Sequence, residues 1–166
     1  MTKRTLRLTT YALLIALALV LSYVESLVPA FFAVPGMKLG LTNIVVLIAL
    51  YKLDFKSAFF ISVVRIVLVT AMFGNAASLA YSIGGGVLSL LVMALLKKTG
   101  RFSLVAVSAA GGIFHNIGQV LVAMWLLYTP EIAYYMLLLW FSGIVTGLVV
   151  GLISALVLVR IPRIDL

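Results

Sequence analysis

A chain of 166 residues that is 65% hydrophobic and 10% charged is not a water-soluble domain; runs of about 20 apolar residues read as transmembrane helices. The absence of cysteine excludes a disulfide framework, a thiolate nucleophile and a Cys-based metal site. A net charge of +8 does not point to nucleic acid, because the cations are divided among four short segments between apolar runs, the pattern of topology signals.

Hydropathy predicts an all-α integral membrane protein of six spans, one transmembrane domain over residues 1–166. The first span covers about 9–28. Its basic start resembles a signal peptide, but its apolar run of about 20 residues is long and no small-x-small cleavage site follows, so it is read as a retained span. Residues 28–37 are apolar yet carry Pro29, Pro35 and Gly36, which makes a continuous helix unfavourable. They form either a loop dipping over the outer mouth of the bundle or an interfacial loop anchored by Phe31 and Phe32. The second span, about 39–51, covers only about 20 Å of a core about 30 Å thick. Lys38 precedes it; with the helix dipole it would form an anion site, or it would snorkel to headgroups.

The third span, about 55–73, carries Arg65 roughly 15 Å along its length. An arginine near the bilayer centre costs about 3 kcal/mol or more to insert and must face the interior. Its partner is either Glu25, in the outer part of the first span, or a ligand. The fourth span, about 78–96, contains Gly84, Gly85 and Gly86, read mainly as close packing. The fifth, about 104–128, carries His115, Asn116 and Gln119 midway, at spacings of three and four that predict a shared polar face. Asn43 and Asn75 are weaker members of this constellation. The sixth, about 132–159, carries Gly143, Gly147 and Gly151, a stripe for close approach within the bundle.

Alternation places Lys3, Arg4, Arg7, Lys52, Lys56, Lys97, Lys98, Arg101, Arg160 and Arg163 on one side, and residues 29–37, 74–77 and 129–131 on the other. That bias predicts both termini in the cytoplasm. With a single histidine, zinc chemistry is not expected. Asp54 and Asp165 are too far apart in sequence for the aspartate clusters of prenyl diphosphate chemistry. No Gly-rich loop ends in Lys-Ser or Lys-Thr. No catalytic residue, metal or cofactor is expected, and any ATP coupling must come from another subunit.

The run Pro35-Gly36-Met37-Lys38-Leu39-Gly40-Leu41-Thr42-Asn43, with Arg65 and the segment 112–119, resembles the bacterial membrane proteins called heptaprenyl diphosphate synthase component I, or the Gx transporter family. That family is similar in layout to the S components of energy-coupling factor (ECF) transporters, six-helix bundles that capture a vitamin-like molecule from outside. The resemblance implies a bacterial cell membrane location and partnership with a membrane coupling subunit and two ATPases. It makes Ala12 and Ala16, an Ala-x-x-x-Ala pair on the first span, a docking face, and it implies Lys38, Asn43, Arg65, His115, Asn116 and Gln119 as substrate-binding residues. The enzyme name then reflects association with prenyl synthases rather than chemistry, and the substrate is a small anionic metabolite, with a quinone or isoprenoid link as one guess. The competing expectations are a non-catalytic accessory subunit of a prenyl diphosphate synthase and a purely structural membrane partner.

Overall fold

The computed structural model describes residues 2–27 and 40–161, with the backbone alone for Tyr135. Lys38, Arg163 and the proposed dipping loop, 28–37, lie outside the described residues. The described chain is helical: α1 (Lys3–Leu27), α2 (Asn43–Lys52), α3 (Phe55–Phe73), α4 (Ala76–Thr99), α5 (Leu104–Leu127), a 3-10 turn (Pro130–Tyr135) and α6 (Met136–Arg160). Five of these, all but α2 and the 3-10 turn, are long and apolar enough to cross a membrane. The second element is therefore shorter than its expected range. It starts at Asn43 rather than at 39, because Gly40 has φ +88, a left-handed conformation that glycine adopts freely. The element has 10 residues, about 15 Å of helix, half a hydrocarbon core.

This short helix is the hub of the bundle. Every residue from Asn43 to Leu50 is buried, as expected of a helix apolar on all sides. Val45, Val46, Leu47, Ala49 and Leu50 pack with Ala18 of α1, Ala58 and Ile61 of α3, Leu90 and Met93 of α4, and Val107 of α5. Ile44 and Ile48 meet Val150 of α6. Its buried last carbonyls need donors. Leu53 N–H donates to the Ala49 carbonyl at 2.9 Å, and Lys97 Nζ of α4 donates to the Leu50 carbonyl at 2.5 Å. Lys52 Nζ in turn donates to the carbonyl of Ile161, just past α6. Cations from two chain segments, Lys52 and Lys97, thus meet at one end, hereafter the basic end. At the opposite end Trp125, Tyr128 and Tyr134 are exposed, the position of aromatic anchors at a membrane interface.

Glycine sets the helix crossings. A Cβ on Gly84 would lie 3.0 Å from the Gly118 carbonyl oxygen, and one on Gly118 would lie 2.5 Å from that of Gly84. The triple glycine of α4 is therefore where α5 crosses. The α6 stripe does the same on the other side of α5: Cβ atoms on Gly143, Gly147 and Gly151 would meet the backbone at Gly112, Ala109 and Val105, within 2.7–2.9 Å. Small residues allow this approach where lipid supplies no hydrophobic drive between helices.

Polar caps start the helices. Asn75 and Ser78 form a reciprocal capping box at α4, so Asn75 serves the helix start and does not join the interior polar groups. Asp54 caps α3, its carboxylate accepting from Ser57 N–H at 2.7 Å. That bond, chiefly, holds the Asp54 carboxyl below the usual carboxylate range. A depressed folded pKa stabilises the fold above the unfolded-state pKa and ceases to do so as pH falls through the folded value. Asp54→Ala is accordingly expected to lower unfolding stability in detergent by about 1 kcal/mol at neutral pH, with the deficit shrinking in acid below about pH 4. A deficit of equal size at both pH values would refute the capping role.

Candidate binding site at the start of the central helix

Helical rise from the basic end brings three polar groups to one depth. Asn43 lies nine residues from Lys52, Arg65 ten from Phe55 and His115 eleven from Leu104. At 1.5 Å per residue each stands about 14–17 Å along its helix. They meet because α2 stops there.

Arg65, 6% exposed, reaches across from α3 to the first residues of α2. Its Nη1 donates to Thr42 Oγ1, and Nη2 donates to Asn43 Oδ1 at 3.5 Å. The Nε of Arg65 is buried without a hydrogen-bond partner among the described residues. Glu25, also buried, accepts from the Gly40 N–H at 2.5 Å and acts on Arg65 through space. The two charges therefore hold the two ends of one turn, residues 40–43. The hydrogen bonds of Arg65 go to Thr42 and Asn43, while Glu25 Oε1 accepts from the Gly40 backbone.

The start of α2 is a hydrogen-bonded turn. Its first amides are already engaged, Asn43, Ile44 and Val45 donating to the carbonyls of Gly40, Leu41 and Thr42 at 2.9–3.1 Å. Lys38 itself lies outside the described residues. Within them, the positive charge at this level comes from Arg65.

On α5, His115 and Gln119 are both buried, with Nε2 to Nε2 at 3.1 Å. The amide nitrogen can only donate, so this contact is a hydrogen bond in the histidine tautomer that carries its proton on Nδ1. The Oε1 of Gln119 is buried and has no hydrogen-bond partner among the described residues. Gly85 makes room for the pair, since a Cβ there would lie 2.8 Å from Gln119 Cγ and 3.1 Å from His115 Nδ1. The pair also borders the α2 turn: a Cβ on Gly40 would stand 3.8 Å from His115 Cδ2.

Asn116 departs from the expected shared face. Its Nδ2 donates to the Leu139 carbonyl of α6 at 2.6 Å, so it joins α5 to α6. The reason is angular: neighbours in sequence stand about 100° apart on a helix and cannot both face one partner. Sequence reasoning also missed Thr42, which is 2% exposed and takes the Arg65 donor. Its position beside Asn43, in an otherwise apolar run, was the available signal. Between α2, α5 and α6 a cavity of about 10 Å³ is lined by Gly40, Asn43, Ser108, Gly111 and Thr146, among others, room for about one water. Ala12 and Ala16 lie elsewhere, exposed on the outer side of α1.

The arrangement offers a buried cation and hydrogen-bonding groups. Among the described residues no three His, Cys, Asp or Glu side chains gather as metal ligands. The family described as heptaprenyl diphosphate synthase component I matches residues 14–157. The chain belongs to this family. No curated protein and no solved structure matches it. The part matched to heptaprenyl diphosphate synthase component I contains the whole polar cluster, from Glu25 to Gln119, and the α5–α6 crossing, and it begins just after Ala12.

Proposed function

We propose that this membrane protein is the substrate-binding subunit of an ATP-driven uptake system of the ECF type, capturing a small anionic metabolite. The observation that carries this reading is the Nε of Arg65, buried at mid-bundle depth without a hydrogen-bond partner among the described residues. A guanidinium is costly to insert at such a depth, and a ligand acceptor would use the donor it leaves. Gln119 Oε1 adds a second requirement, so the ligand carries an acceptor, ideally a carboxylate or phosphate, and also a donor. Lys38, from the run in which the family resemblance rests, would add charge at the entrance. Asn43 and His115 would orient the ligand; Asn116 has a structural role.

In this reading the protein has no catalytic role of its own. The basic end, with both termini, faces the cytoplasm of a bacterial cell by the positive-inside bias, and the site opens toward the outside. Ala12 and Ala16 form the docking face for a coupling subunit that carries two ATPases. The family's description as a component favours one other reading, a membrane accessory to a prenyl diphosphate synthase, because a component implies a second one.

Affinity purification from native membranes separates the two. The uptake reading predicts co-purifying ATPases and a small anion retained by the protein, identified by mass spectrometry. Ala16→Leu, on the exposed side of α1, is expected to abolish ATPase co-purification and leave the retained anion in place. Recovery of a prenyl synthase without ATPases or retained anion would replace this reading with the accessory one.

A further inference from the structure

We propose that the groove between the first turns of α1 and α3 binds the headgroup of an anionic phospholipid, in the leaflet that meets the basic end. The groove measures about 390 Å³ and is lined by Arg4, Arg7, Leu8, Tyr11, Lys56 and Phe60. It lies away from the polar cluster, and Leu8 stands one turn before Ala12 on the same face of α1.

Its construction follows from helix periodicity. Arg4, Arg7, Leu8 and Tyr11 fall at i, i+3, i+4 and i+7, one face of α1, while Lys56 and Phe60 are four apart on α3. The basic residues come first along each helix and the apolar ones follow. Charge therefore stands at headgroup level, and Leu8, 62% exposed, and Phe60, 50% exposed, stand where acyl chains begin. Three cations and no acidic residue line the groove. The nearby Asp54 carboxylate is engaged with Ser57 N–H.

Arg7 is held in place. Its Nε donates to Tyr11 Oη at 2.9 Å, and that hydroxyl lies 2.5 Å from Ser57 Oγ on α3. The guanidinium sits 5.4 Å from the centre of the Tyr11 ring. Because Nε is committed, the two terminal nitrogens, without a protein partner among the described residues, remain as the fork that grips a phosphate. A basic pocket between helices at the membrane surface, floored by apolar side chains, suits an anionic lipid. An acidic protein segment would not use the lipid-level exposure of Leu8 and Phe60.

The test uses the full chain, purified in detergent, stripped of lipid and offered phosphatidylglycerol or phosphatidylcholine with identical acyl chains, with bound lipid read by native mass spectrometry. Phosphatidylglycerol is expected to be retained about 10-fold over phosphatidylcholine. The triple variant Arg4→Gln, Arg7→Gln, Lys56→Gln should lose that preference. The double variant Lys98→Gln, Arg101→Gln, which removes two cations outside the groove, should keep it. Removing three cations also weakens the orientation signal. Arg7→Lys with Tyr11→Phe, which keeps the charge but not the fork, should therefore reduce retention about five-fold with insertion unchanged. Equal retention of both lipids, or equal losses in the triple and control variants, would overturn the proposal. So would a triple variant that keeps its lipid but loses a co-purified protein.

Discussion

If the protein captures an anion as proposed, Arg65→Ala is expected to weaken its binding about 100-fold, on the order of 3 kcal/mol. The loss combines the missing charge with the loss of the buried Nε donor, and water does not easily replace either at this depth. The same substitution frees Thr42 and Asn43 from their shared donor, so some stability falls with it. Two further variants separate the effects. Arg65→Lys keeps a cation but not the planar fork, and should bind about 10-fold more weakly. Thr42→Val removes one acceptor of Arg65 and leaves the guanidinium, so it should lower thermal stability more than affinity. Isothermal titration with the anion identified by mass spectrometry measures each. If all three variants bind as the unmodified protein does and differ only in melting temperature, Arg65 is a strut and the site is misplaced.

Gly112→Ala is expected to have the largest effect on folding. A Cβ there would lie 2.2 Å from the Gly143 carbonyl oxygen and 3.1 Å from its carbon, with Gly147 Cα at 3.3 Å. All three are backbone, which cannot swing aside, so α5 and α6 must separate along their whole contact. Overpacking of this kind costs about 1–3 kcal/mol when side chains can yield, and the backbone contacts put this case at the upper end or beyond. Gly86→Ala is the matched control. Its new Cβ would meet Ile66 Cδ1 at 3.0 Å, the end of a flexible side chain, and alanine favours a helix over glycine by about 1 kcal/mol. The expected result is a large fall in melting temperature for Gly112→Ala and none, or a rise, for Gly86→Ala. Equal melting temperatures for both would show that α5 and α6 can move apart freely, against a glycine-set crossing.

The polar cluster was legible to a degree that soluble proteins seldom allow. In a chain that is 65% hydrophobic, charged and amide side chains within the apolar runs are conspicuous, because lipid offers them no solvent; a small hydroxyl such as that of Thr42 is not. Arg65, His115 and Gln119 stood out for that reason, and Asn43 more weakly. Their rotation about each helix axis was much less legible. Lipid and packed helix are both apolar, so a spanning helix carries little 3.6-residue alternation to say which side faces inward. Asn116 shows the cost: spacing grouped it with Gln119, whereas its amide meets α6.

By itself the sequence determined that the chain is a membrane protein with long apolar helices, that most of its cations mark the ends of those helices, and that a few polar side chains must face inward. Apolar length and the cost of charge in lipid suffice for these. Only the tertiary structure decided that the second element is a half-length helix enclosed by the others, with its first turn held between Glu25 and Arg65. Hydropathy measures how apolar a segment is, not what surrounds it, and a helix buried in protein reads the same as one buried in lipid. The depth at which α2 begins, set by a left-handed Gly40 and matched to Arg65 and His115 by helical rise, is a relation among three chain segments, and it exists only once they are packed together.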